Sequence, residues 1–220
     1  MTSDESQRPF ALPPGVDLAR GDVDADPAAA ERRGEDLMAA SEEAILAGVR
    51  AGATPYVARR AVEVLDAWDR GSRAERDDAL TRIRDAAEHA TNRVLDALRA
   101  LFALDAAQQR QTPLEIVRTV RREPSEVLAA LGVPPIERDP FEERALPDDP
   151  YGLAPRTLAD LGDAELGAMQ LAWGVGKATV LRARASAARD EQTAPEVVQR
   201  RSRAPWDWAP WRRRPRKDRP

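Results

Sequence analysis

The placement of proline constrains this chain more than any other feature. Of 18 prolines in 220 residues, four lie within residues 1–27, six within 132–155 and five within 194–220. Proline removes a backbone donor and clashes with the preceding turn, so neither a helix nor a central strand runs through such clusters. Pro55, Pro113 and Pro124 stand where helices would begin, and there the missing N–H costs nothing. The spacing predicts two irregular ends and one internal loop around helical material. No alternating β-branched run competes with this all-α reading, an irregular helical bundle.

Composition sets how such helices can pack. The sequence has 41 Ala but only 52 Val, Ile, Leu, Met, Phe, Trp and Tyr together. Ala is the best helix former and lets helices approach closely, yet it buries little area per residue. With no Cys and a single His, the chain is neither a disulfide scaffold nor a thiol enzyme, and it lacks a His-based metal cluster.

From Ala28 to Val49 the pattern is helical, with Leu37, Met38, Ser41, Ala44, Ile45 and Gly48 at steps of three and four. Gly48 to Gly52 is expected to end that helix. Thr54 and Pro55 then cap and open a second, whose apolar face is Val57, Ala61, Val64, Leu65 and the core anchor Trp68. Ser72 and Glu75 have capping-box spacing and open the longest segment, ending near Gln108. Its stripe is close to a heptad: Leu80, Ala87, Val94 and Leu101 interleave with Ile83, Ala90, Ala97 and Leu104, widened by Leu98 and Phe102. Packing within a monomer is favoured over a dimer seam for this face.

Thr112, Pro113 and Glu115 start a short helix that Glu123 and Pro124 interrupt, and another follows through Val127, Leu128 and Leu131 to a left-handed Gly132. Residues 133–155 hold six prolines and six carboxylates. That is too polar and proline-rich for a strand and long for a plain connection, so the segment wraps the domain through Ile136, Phe141, Leu146, Tyr151 and Leu153 or serves a partner. A turn at Arg156 to Leu161 leads to Asp163, which caps a last helix, Ala164 to Asp190. Its stripe is Leu166, Met169, Trp173, Gly176, Val180 and Ala183, while Leu171, Val175 and Leu181 point elsewhere. This helix is expected to be the most buried element, with Gly174 and Gly176 admitting another backbone.

No reading of a catalytic, cofactor or metal site survives scrutiny. In Trp173-Gly174-Val175-Gly176-Lys177-Ala178-Thr179, a phosphate loop would need Gly at Leu171, Ser or Thr at Ala178 and a preceding strand. Close helix packing explains the glycines better, and Lys177 snorkels to water. His89 pairs with Asp85 one turn earlier on a solvated face. The loop carboxylates Glu137, Asp139, Glu142, Glu143, Asp148 and Asp149 lack the spacing and Gly of a calcium loop. A candidate loop site combines Arg138 as a clamp, Asp139, Asp148 or Asp149 as acid or base, Tyr151 and Lys177.

The carboxyl end carries the clearest non-structural signal. Residues 194–220 hold nine basic and three acidic side chains, a net of +6, so the chain total of −4 leaves −10 for residues 1–193. Trp206, Trp208 and Trp211 beside Arg212, Arg213, Arg214 and Arg216 suit single-stranded nucleic acid or an anionic membrane surface. A disordered solubilising tail and a tail that masks the acidic body are the alternatives.

Residues 112–184 resemble a family of uncharacterised proteins from high-GC actinobacteria. The similarity rests on Pro124, Glu126-Val127-Leu128, Gly132-Val133-Pro134-Pro135, Arg138-Asp139, Phe141, Pro147-Asp148-Asp149, Tyr151, Leu153, Asp160-Leu161, Trp173-Gly174 and Lys177-Ala178. The resemblance implies a structured helix-loop-helix unit and no particular activity.

The sequence thus predicts a flexible acidic lead over 1–27, one helical domain over 28–190 and a disordered basic tail over 191–220. The lead has no basic stretch followed by an apolar core, and no apolar run is long enough for a membrane span. The expected function is that of a cytoplasmic, monomeric, non-catalytic interaction or regulatory protein with an unknown protein partner. Nucleic-acid or anionic-lipid binding through the tail ranks second, and an enzyme built on the Arg138 to Tyr151 loop ranks third.

Overall fold

A computed structural model describes Val23 and residues 25–68 and 72–193. They form an all-α helical bundle, with no strand among the described residues. The helices are α1 (Pro27–Asp66), α2 (Arg73–Phe102), α3 (Pro113–Val117), α4 (Arg122–Ala130), α5 (Pro140–Ala145) and α6 (Ala164–Thr193), with 3₁₀ turns at Arg118–Arg121 and Leu158–Leu161. Residues 1–22 and the Trp/Arg tail, with Trp206, Trp208, Trp211, Arg212, Arg213, Arg214 and Arg216, lie outside the described residues.

The largest departure from expectation is α1. Its 40 residues run through Gly48, Gly52 and Pro55 without a break, a rod about 60 Å long at 1.5 Å per residue. Thr54 is therefore no N-cap; its hydroxyl lies 3.0 Å from that of Thr91 on α2. Glycine costs a helix about 1 kcal/mol and an interior proline about 3, and packing outweighs both here. Val49, Gly52, Ala53, Tyr56 and Val57 are all buried around the expected break. A Cβ on Gly52 would come within 2.3 Å of the Leu161 carbonyl, and one on Gly48 within 2.3 Å of the Leu166 side chain. These glycines let α6 and its leading turn press onto α1.

The same device recurs at the other end of the α1–α6 pair. A Cβ on Gly34 would lie 2.8 Å from the Gly176 carbonyl, and one on Gly176 would lie 2.7 Å from that of Gly34. Gly176 thus does what its sequence context suggests, whereas Gly174 has nothing within 4 Å of a Cβ position. The core forms along α1, which contacts both α2 and α6. Contrary to expectation, α6 is covered on one side only, and Leu171 and Leu181 are exposed. Trp68, two residues past the end of α1, is only partly buried and packs against the edge of the core.

On α2 the buried residues include Ala79, Ile83, Ala87, Ala90, Val94, Leu98 and Leu101. Ala97 is exposed, and Leu104 lies beyond the helix end and is 44% exposed. The first repeat stays on the packed face, with Ala87, Val94 and Leu101 buried and Leu80 partly buried against the core, whereas the second leaves it after Ile83 and Ala90, in keeping with the drift of about 20° per heptad of a straight helix. The face is covered within the chain by α1 and α4.

The termini follow the sequence closely. Ser72 and Thr112 each accept a hydrogen bond from the N–H three residues on, at 3.3 Å, and Glu75 and Glu115 each accept the return bond at 2.7 Å. Asp163 accepts from the Glu165 N–H. Gly132 has φ +73°, and the N–H groups of Gly132 and Val133 donate to Ala129 and Leu128, closing α4 with a Schellman motif. Glu123 and Pro124 do not interrupt the chain: they lie in the first turn of α4, which follows directly on the 3₁₀ turn after α3. α2 ends at Phe102 rather than near Gln108, and α6 extends to Thr193.

If close backbone contact is why α1 tolerates its glycines, Gly52→Ala lowers stability by about 1–3 kcal/mol through overpacking. Gly174→Ala, into open space, raises it by up to about 1 kcal/mol through helix propensity. Urea unfolding of both variants checks the opposite signs.

Candidate functional site

The segment 133–155 wraps the domain, and main-chain geometry shapes it. Tyr151 is buried and donates its hydroxyl to the Val133 carbonyl at 2.9 Å, and Leu153 is fully buried. Ile136 is half-buried, and its N–H donates to Pro150. Where only loop was expected, Pro140–Ala145 forms α5, with proline at its first position. Asp149, only 1% exposed, accepts from the N–H groups of Leu153 and Ala154 at 2.9 and 2.8 Å. Its carboxylate thus satisfies buried donors that no helix or sheet would otherwise pair. Gly152 closes this bend at φ +65°, a conformation that favours glycine.

Arginines from three directions fasten the wrapped segment by its carbonyls. Arg60 of α1 donates to Gly152, Arg118 to Pro155 and Arg156, Arg121 to Asp148, and Arg138 to Leu146. Tyr56 of α1 donates its hydroxyl to Ala154 at 3.1 Å. Its phenol is pushed above the ordinary range, chiefly by burial.

Between these elements lies a cleft of about 580 Å³. Arg59, Arg60, Arg118, Arg138 and Arg156 line it, against Glu63, Asp149 and Asp160, with Tyr56, Leu146 and Ala154 as apolar surface. The carboxylates have other work. Glu63 pairs with Arg60, Asp149 holds the bend, and Asp160 accepts from the N–H groups of Arg156 and Thr157. Arg59 donates to the Asp160 carbonyl at 3.4 Å and lies 5.5 Å over the Tyr56 ring. A carbonyl satisfies an N–H without cancelling the guanidinium charge, so Arg59, Arg118 and Arg138 keep this wall positive.

The candidate loop site is only partly assembled. Arg138 and Asp149 meet in the cleft, whereas the Asp139 and Asp148 side chains are exposed and outside its lining. Tyr151 is buried behind it. Lys177 sits elsewhere: its ammonium donates to the Gln109 carbonyl at 2.5 Å and lies 5.3 Å from the Trp173 ring centre. Gly174 to Lys177 are mid-helix, their N–H groups belonging to α6 rather than to a phosphate loop. The Trp173 indole donates to Glu42 at 3.2 Å, and burial raises the Glu42 carboxyl despite that bond. His89 is exposed on α2. No group of three or more His, Cys, Asp or Glu among the described residues could hold a metal ion.

Sequence reasoning missed Tyr56, Arg59, Arg60, Arg118, Arg156 and Asp160. One signal was available: positions 56, 59, 60 and 63 have i, i+3, i+4, i+7 spacing and share a face of any helix that covers them. Comparison of the chain with protein-family models, with curated proteins and with solved structures finds no match.

Two outcomes follow from this geometry. Asp149→Ala strands two buried N–H groups, costs about 2–4 kcal/mol, and accelerates amide exchange at Leu153 and Ala154. Glu42 has a raised folded carboxyl pKa, so its ionised form is penalised increasingly as pH rises above the ordinary 4.5. Glu42→Gln keeps an acceptor for Trp173, so the melting temperature of this variant relative to wild type is higher at pH 7 than at pH 4.

Proposed function

We propose that the protein is a non-catalytic interaction protein that engages a negatively charged partner at the arginine-lined cleft. The observation that carries this reading is the gathering of five arginines around one cleft in a chain of net charge −4. The lining suits holding an anion better than moving protons, because Tyr56, Asp149 and Asp160 already serve main-chain groups. The reading places the protein in the cytoplasm as a monomer. No helix among the described residues is long and apolar enough to cross a membrane.

A second reading assigns binding to the tail, where Trp206, Trp208 and Trp211 stand directly before the basic run Arg212 to Arg216 and favour nucleic acid or anionic lipid. Two variants of the full chain separate the readings. Arg59 and Arg156 are both exposed, so Arg59→Glu with Arg156→Glu reverses cleft charge without opening the core. The cleft reading expects this variant to lose a co-purifying partner that deletion of residues 194–220 retains. Loss on tail deletion alone, with salt-sensitive binding to single-stranded RNA or anionic liposomes, favours the tail.

A further inference from the structure

We propose that the cleft's ligand is a phosphoryl group. The proposal rests on the cleft reading above and names the chemistry that the site recognises. A carboxylate is planar and its two oxygens are matched by a single guanidinium fork. A phosphoryl group presents three terminal oxygens in a tetrahedral array, so it can accept from several directions at once. The cleft supplies donors in that manner. Arg59 and Arg60 come from α1, Arg118 from the 3₁₀ turn after α3, Arg138 from the wrapped segment and Arg156 from its exit.

Charge leads to the same ligand. Five arginines against Glu63, Asp149 and Asp160 leave the lining at +2, which a phosphomonoester dianion would balance. Donor capacity remains as well: each guanidinium carries five N–H groups, of which Arg59 gives one to Asp160 and Arg118 gives two to Pro155 and Arg156. The cleft is larger than one phosphoryl group, and Tyr56, Leu146 and Ala154 offer apolar surface to whatever bears it.

The test titrates the full chain with inorganic phosphate, pyrophosphate, a phosphoserine peptide and glutarate, followed calorimetrically and by amide shifts. Phosphorylated probes are expected to bind in the micromolar to millimolar range and glutarate at least about tenfold more weakly. Affinity for the phosphoserine peptide should rise between pH 5 and pH 7.5, because the second phosphate ionisation lies near 6 while arginine stays charged. Arg59→Gln and Arg156→Gln should each weaken binding about tenfold, whereas Arg82→Gln, on the exposed face of α2, changes nothing. Pyrophosphate binding more tightly than the peptide points to a small phosphorylated compound, and the reverse order points to a phosphorylated side chain.

Three results overturn the proposal: no phosphorylated probe bound up to about 10 mM, glutarate bound equally well, or affinities untouched by both cleft substitutions. If the phosphorylated probes fail while the Arg59→Glu, Arg156→Glu chain still loses its partner, the phosphoryl assignment falls and the cleft reading stands. If the partner also remains bound to that chain, both fall.

Discussion

The rest of the structure depends on the close contact between α1 and α6. Large apolar side chains are scarce in this sequence, so stability has to come from helices that approach until their backbones nearly touch. Gly34 and Gly176 face each other, while Gly48 and Gly52 receive Leu166 and Leu161. Each glycine weakens its helix locally, and together they let α6 run along α1 at a distance that an alanine would prevent. The fold trades helix propensity for contact, and the trade is favourable because dispersion and burial act along most of a 40-residue rod.

That contact also sets where chemistry can occur. Because α1 does not stop at Gly52, it carries Tyr56, Arg59, Arg60 and Glu63 to the wrapped segment while Val57, Ala61, Val64 and Leu65 of the same turns stay in the core. There the polarity changes from alanine seams to guanidinium-carbonyl bonds. The wrapped segment has little secondary structure to pair its own carbonyls, and arginines from α1 and the 3₁₀ turn do it instead. One set of side chains, Arg60, Arg118 and Arg138, therefore fastens the segment and makes the adjoining cleft positive.

Much of the fold could be read from residues whose physics is local. The capping boxes at Ser72 and Thr112, the left-handed Gly132 and the cap at Asp163 each involve groups within a few positions, and all form as their spacing implies. The misses share a different cause. Gly48, Gly52 and Pro55 look like a break by propensity, and only the position of Leu161, more than a hundred residues away, explains why the helix continues. The heptad on α2 holds for Leu80, Ala87, Val94 and Leu101 and is lost at Ala97, because 3.6 residues per turn drifts against a seven-residue repeat. The cleft was least legible. Arg59, Arg60, Arg118 and Arg156 belong to no spaced motif, and only the fold brings their elements together around one cleft. Of the residues singled out beforehand, Arg138 and Asp149 reach that place, and Lys177 is held by Gln109 instead.

The central claim is that one uninterrupted α1 links the glycine-lined core to the arginine cleft. Backbone chemical shifts and amide exchange across residues 44–62 of the full chain test it most directly. Helical carbon shifts are expected throughout, including Gly48 to Gly52, with slow exchange at Val49, Ala53 and Val57. Coil-like shifts and rapid exchange between Gly48 and Thr54, with a fresh helix starting at Pro55, would contradict it and leave Arg59 and Arg60 without the frame that brings them to the cleft.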